Sequence, residues 1–223
     1  MHILGVACFY HDAAAALLRD GMLVAAAEEE RFSRRKHDHG YPRAAIRFCL
    51  QAATINPQDL DYVVFYEKPF VKFERILKAT LQTAPRSLRL FRGAMSSWLR
   101  EKLWIQELIS RDLGLARDRI LFTDHHQSHA ASAFYCSPFD EAYVFTADGR
   151  GDFRSVSLWS ATRREGFMLI DMACELTSLG AMYGFITKFL GFTPDKHEGK
   201  VTGLSARGKE TEAYKILKSG LWF

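Results

Sequence analysis

ILGVACF at residues 3–9, AAAALL at residues 13–18 and MLVAAA at residues 22–27 are three apolar runs crowded into the opening of the chain. Each has the length of a strand, and Asp20-Gly21 between the last two is a hairpin signal, so three strands are expected in quick succession. Outward from them, Pro42 stands at a plausible first helical position. Ile46, Cys49, Leu50 and Ala53 follow at i, i+3, i+4 and i+7, the spacing of one helix face. Tyr62 to Tyr66 is rich in β-branched and aromatic residues and reads as a strand, as does Ile120 to Thr123. A broad amphipathic helix is expected from Ser96 to Ile109, and another from Gln127 to Tyr135, ending near Ser137-Pro138.

The same order of events then restarts. Tyr143 to Ala147, Ser155 to Trp159 and Phe167 to Met172 read as three strands. Ser178 is a candidate cap for a helix carrying Met182, Ile186, Phe189 and Leu190. Residue identities do not repeat; the pattern does. Two strand–strand–strand–helix units back to back describe an α/β architecture of duplicated ribonuclease-H-like units, as in actin, sugar kinases and heat-shock ATPases. The first unit is expected over residues 1–138 and the N-terminal part of a second over 139–223. The second unit is expected to be incomplete, short of two strands and their helices, and the apolar ending Leu221-Trp222-Phe223 reads as an interrupted chain.

Composition bounds the function classes. Hydrophobic residues are 48% and charged residues 25% of the 223, values of a folded globular chain and not of a disordered or collagenous one. No run of 18 apolar residues suggests a membrane span, and the first residues lack the basic and apolar regions of a secretion signal, so a cytoplasmic protein is expected. The four cysteines, Cys8, Cys49, Cys136 and Cys174, form no CxxC pair and read as reduced thiols. The net charge of +4 is modest. The basic residues Arg86, Arg89, Arg92, Arg100 and Lys102 alternate with apolar ones like a solvated helix face, so nucleic acid is not the expected partner.

Chemistry concentrates in Asp124-His125-His126-Gln127-Ser128-His129. His125 and His129 are four residues apart and share one helix face, so their imidazoles can bind one metal ion jointly. The glutamate of HExxH is absent, which argues against a zinc protease. Asp148, at the expected end of a strand and before Gly149-Arg150-Gly151, adds an oxygen ligand. Two nitrogens and an oxygen suit a hard or borderline ion such as iron, manganese or zinc. His11, in Phe9-Tyr10-His11-Asp12, reads either as a general base or as a turn histidine. The charged run from Glu28 to Asp38 reads as a solvated loop or as a clamp for phosphate or carboxylate.

Taken together, these segments resemble the N-terminal part of the O-carbamoyltransferase family, whose members act in nodulation and in antibiotic tailoring. The resemblance is carried by Ile3-Leu4-Gly5 through Ala16, Glu29-Glu30-Arg31-Phe32 with Lys36-His37, and Phe65-Tyr66-Glu67-Lys68-Pro69. It continues through the histidine cluster to Ala133, then Asp148-Gly149, Ser178-Leu179-Gly180 and Lys200-Val201. It implies a metal-containing transferase domain followed by a YrdC-like domain that makes carbamoyl adenylate from carbamoyl phosphate and ATP. The first domain would pass the carbamoyl group to a hydroxyl of a sugar-containing or natural-product acceptor. Carried over by position, His125, His129 and Asp148 are metal ligands, His11 the base, and Lys36 and Gly180 contacts to the carbamoyl nucleotide. Iron is the expected ion, with manganese or zinc as alternatives.

This sequence departs from the family at Thr202, Ser205 and Arg207. It also aligns nothing with the family's further aspartate ligand or with its YrdC-like domain, so the chain by itself is expected to be inactive. Two other readings stand beside this one: a threonylcarbamoyl transferase acting on tRNA adenosine, and a truncated, non-catalytic chain serving as a binding or assembly partner. Homo-oligomers are compatible with either.

Overall fold

The structure is a computed structural model that describes residues 1–220 except 11, 83, 86–90, 94, 96, 97, 99–101 and 175–177. The opening runs form strands β1 (His2–Ala7), β2 (Ala14–Arg19) and β3 (Met22–Glu28), joined as antiparallel neighbours. Arg19 pairs with Met22, so Asp20-Gly21 is a two-residue turn. Both residues sit at positive φ (51° and 82°), the geometry that matches strand twist and favours Asp-Gly. A single helical turn, α1 (Glu30–Ser33), leads to α2 (Arg43–Ala53), strand β4 (Tyr62–Phe65) and helix α3 (Pro69–Gln82). Helix α4 (Ile105–Leu113), strand β5 (Ile120–Phe122) and helix α5 (His125–Tyr135) complete this part.

The five strands are ordered β3-β2-β1-β4-β5, with β1, β4 and β5 parallel. That succession of an antiparallel three-stranded meander and two parallel crossover strands is the ribonuclease-H-like sheet. Alternation decides which face is covered. Leu4, Val6, Ala15, Leu17, Val63 and Phe65 point to one side, where Ile46, Cys49 and Leu50 of α2 and Ile105, Ile109 and Leu113 of α4 meet them. Leu17 is fully buried there, and its truncation to alanine would cost about 2–5 kcal/mol.

The second unit opens as expected, with strands β6 (Glu141–Gly151), β7 (Arg154–Thr162) and β8 (Gly166–Cys174) in an antiparallel sheet of order β6-β7-β8. Helices α6 (Leu179–Phe189), α7 (Glu198–Ser205) and α8 (Glu212–Gly220) follow. Among the described residues no strand pairs with the outer edge of β6. Helix α5 joins the two sheets. Ala130 and Phe134 pack on Val144, Trp159 and Ala161 of the second sheet, while Ser128 Oγ donates to the Tyr66 carbonyl at the end of β4 (2.9 Å).

Some elements differ from their sequence reading. Helix α5 starts at His125 and not at Gln127, because Asp124 caps it, accepting from the backbone N–H groups of His126 and Gln127. Strand β6 runs past Asp148 to Gly151 through a register irregularity, so Asp148 lies within a strand and not at its end. Pro42 stands just before α2. The cap comes from Glu29, whose carboxylate accepts from the N–H groups of Ala44 and Ala45, so part of the charged run is structural rather than solvated. Helix α3 has no counterpart in the sequence reading. Most of the basic segment between Arg86 and Lys102, and part of the helix expected from Ser96, lie outside the described residues.

Candidate metal centre

Parallel strands β4 and β5 end side by side, with Phe65 in register with Phe122. Glu67 therefore leaves the sheet next to Asp124 and His125, at the carboxyl edge where ligand sites of open α/β sheets form. Helix α5 then presents His125 and His129 on one face, as their spacing requires, and β6 brings Asp148 across from the second sheet.

Three ligand atoms converge. His125 Nε2 lies 2.8 Å from Asp148 Oδ2 and 3.1 Å from His129 Nε2, and His129 Nε2 lies 3.6 Å from Asp148 Oδ2. Two ligands bound at about 2.0–2.1 Å to one ion stand about 2.9–3.4 Å apart for right-angle or tetrahedral geometry, so the set fits a shared ion. Imidazole and carboxylate donors suit zinc, manganese or iron. His125 is buried and His129 exposed, so the cluster opens toward solvent on the His129 side.

Charges follow from this packing. Burial alone would lower the pKa of His125, but Asp148 at one ring nitrogen and Glu67 toward the other outweigh it and raise the value to about 9. Hydrogen bonding to His125 and His129 holds Asp148 well below the usual carboxylate range, against the opposing effect of its burial. The middle histidine behaves otherwise. His126 is fully buried, with Nδ1 2.8 Å from Thr146 Oγ1 and Nε2 3.1 Å from the Arg154 carbonyl, a satisfied core side chain.

Two glycines are required by close approach. A Cβ on Gly151 would lie 2.8 Å from Cδ2 of His126 and nearer still to Cδ2 of His125. One on Gly180 would lie 2.6 Å from the Gly149 nitrogen and 2.8 Å from the Asp148 carbonyl carbon. Gly180 thus seats the first turn of α6 against the strand that carries Asp148. Ser178 fastens the same junction: its Oγ contacts the carbonyls of Asp148 (3.0 Å) and Gly149 (2.7 Å) and accepts from the Ala181 N–H (2.9 Å).

The other expected site residues fare differently. Lys36 is exposed, in a turn after α1, and both it and Lys200 bear electrostatically on His197. His11 lies outside the described residues. Its neighbour Asp12 contacts His37, Oδ1 to Nδ1 at 2.9 Å. Sequence reasoning overlooked two groups. Glu67 is a buried carboxylate beside His125, and Asp152 is a buried one whose Oδ2 accepts from the His125 backbone N–H at 3.1 Å. A cavity of about 1180 Å³ lies over the small residues Gly5, Ala14 and Ala16 and beside Tyr66 and Ser128 of the neighbouring elements. None of His125, His129 and Asp148 lines it.

A mixed sheet with an imidazole–imidazole–carboxylate cluster at its carboxyl edge defines an α/β domain with a candidate metal site. The sequence profile described as Carbamoyltransferase N-terminus matches residues 2–219, and the chain belongs to that family. An uncharacterized protein of Synechocystis, sll1178, is 45% identical over 93% of this chain and 35% of its own length. Nodulation protein NolNO of Sinorhizobium fredii is 38% identical over 95% of this chain and 31% of its own. The chain therefore spans about a third of the length of these curated relatives. Component A of the (R)-2-hydroxyglutaryl-CoA dehydratase of Acidaminococcus fermentans is a structural match at 14% identity and a TM-score of 0.49, covering 94% of this chain and 60% of that one. The fold assignment rests on the strand order and not on that likeness. Among the described residues no helix is long and apolar enough to cross a membrane.

Proposed function

We propose that this chain is the acceptor-side part of an O-carbamoyltransferase, moving a carbamoyl group from carbamoyl adenylate to a hydroxyl of a small sugar-containing or natural-product acceptor. The observation that carries the reading is the convergence of His125 Nε2, His129 Nε2 and Asp148 Oδ2 within 3.6 Å of one another, in a chain of this family. An ion held by these three groups, iron or else manganese or zinc, supplies Lewis acidity toward the carbamoyl carbonyl.

The chain's own residues do the rest. Helix α6 points its N-terminus, with Gly180 in its first turn, at the Asp148 end of β6, a favourable place for an anionic nucleotide group. Lys36, exposed in the turn after α1, adds a positive charge for the same ligand. His11, between β1 and β2 in the sequence, takes the proton of the attacking hydroxyl as that oxygen bonds to the carbamoyl carbon and adenylate departs. The adenylate itself would be formed from carbamoyl phosphate and ATP by a YrdC-like domain, the further partner of this one.

The test is direct. The complete protein, given carbamoyl phosphate, ATP and a panel of hydroxyl acceptors, is expected to release AMP and form a carbamoylated acceptor visible by mass spectrometry. His125→Ala and Asp148→Asn should each lower turnover by roughly 100-fold or more. Product formation unaffected by either substitution would refute the assignment.

A further inference from the structure

The groups behind the ligand cluster carry more information than the cluster itself. Glu67 and Lys72 are both buried (6% and 9% exposed) and form an ion pair, Oε2 to Nζ, at 2.6 Å. The pair straddles the start of α3: Glu67 precedes Pro69, and Lys72 lies one turn inside. Glu67 Oε2 is also 3.6 Å from His125 Nδ1, a buried nitrogen with no partner within hydrogen-bond length. The Tyr66 ring contacts the His125 ring at 5.5 Å between centroids. On its other side, the Lys72 ammonium lies 5.1 Å from the centre of the Tyr10 ring, in the segment between β1 and β2.

Burying such a pair is not explained by stability, since apolar residues of similar size are often as stable or more so. Its placement gives it a different use. A carboxylate can only accept, and each ring nitrogen of His125 faces one: Asp148 at Nε2 and Glu67, 3.6 Å away, at Nδ1. An ion bound at Nε2 would leave Nδ1 as the protonated nitrogen, with Glu67 the acceptor on that side. Lys72 keeps the carboxylate from turning toward solvent and leans on Tyr10.

We infer that Glu67, held by Lys72, is the positioning residue of this centre, setting the tautomer and ring orientation of His125. Through Tyr10 the same pair reaches the segment between β1 and β2. The inference rests on the reading of His125, His129 and Asp148 as ligands. Carboxylates behind ligating histidines act in this way in metal proteins generally, where their loss weakens metal affinity about 10–100-fold.

The experiment titrates the complete protein with cobalt(II), following its visible absorption, beside the double variant Glu67→Leu/Lys72→Met, which leaves no unpaired buried charge. The expected result is a dissociation constant raised about 10–100-fold with altered absorption bands, and an intermediate loss for Glu67→Gln, which keeps an acceptor. Cobalt affinity within twofold of the parent in a folded double variant overturns the inference. If that variant does not fold, the parent loaded with zinc answers the question by ¹⁵N NMR of its histidine rings. His125 protonated at Nδ1 and metallated at Nε2 supports the inference, and the reverse overturns it. Should the parent bind neither ion, the ligand reading fails and the inference with it. A parent that binds and a double variant that binds equally sink only the inference.

Discussion

His125 Nε2 and Asp148 Oδ2 stand 2.8 Å apart although 23 residues and a change of sheet separate them. One comes from the first turn of α5, the other from β6, and they meet because α5, which follows β5 of the first sheet, packs on β6 and β7 of the second. Whatever holds the two sheets together therefore also holds this contact.

Metal-free protein should show the contact in its pH dependence. His125 has its pKa raised from 6.5 to about 9, so its contribution to stability is complete below 6.5 and is lost as pH rises through 9. Asp148 is depressed below its ordinary 3.8, and its contribution is present above that value and lost on acidification. Chelator-treated protein is therefore expected to resist urea best between these limits. Its midpoint should fall from pH 6.5 to 9, and His125→Gln should flatten that alkaline limb.

Gly151→Ala tests the cradle beneath the imidazoles. The new methyl meets the rings of His125 and His126, so a stability loss of about 1–3 kcal/mol is expected from overpacking, read by denaturant titration. Metal affinity should drop as well, because His125 must rotate or shift. Unchanged affinity in a folded variant would mean that the ring has room the structure denies it.

Gly180→Ala separates packing from ligand contact. Its Cβ would collide with backbone at Asp148 and Gly149, which cannot move aside as a side chain can. A cost of about 1–3 kcal/mol is expected even without any nucleotide. If the variant is as stable as the parent and loses only nucleotide affinity, then Gly180 is a ligand contact and not a packing requirement.

Glu29→Ala removes a cap supplied from outside its helix. The N–H groups of Ala44 and Ala45 lose their carboxylate, and a destabilisation of about 0.5–2 kcal/mol is expected. Glu29→Gln should recover part of it, since an amide oxygen still accepts. Equal stability of Glu29→Ala and parent would show that water satisfies those groups at no cost.

The site was legible where it depended on spacing along one element. Positions i and i+4 place His125 and His129 on one helix face in any fold, and the apolar runs at 3–9, 13–18 and 22–27 announce three strands by length and by the Asp20-Gly21 turn. Glu67 was not legible. It stood in a quoted family stretch, but nothing local distinguishes a buried carboxylate from a surface one. Asp152 was missed for the same reason, and the core role of His126 shows only in its partners Thr146 and Arg154.

The sequence by itself thus determined the strands, the helix face shared by His125 and His129, the Ser178 cap and the family, because each rests on residues close together in the chain or on the pattern of the chain itself. The tertiary structure alone decided that Asp148 meets His125, that Glu67 stands behind it, and that Gly151 and Gly180 must lack a side chain. Those contacts join segments tens of residues apart, and their distances are set by how α5 and α6 pack on the second sheet.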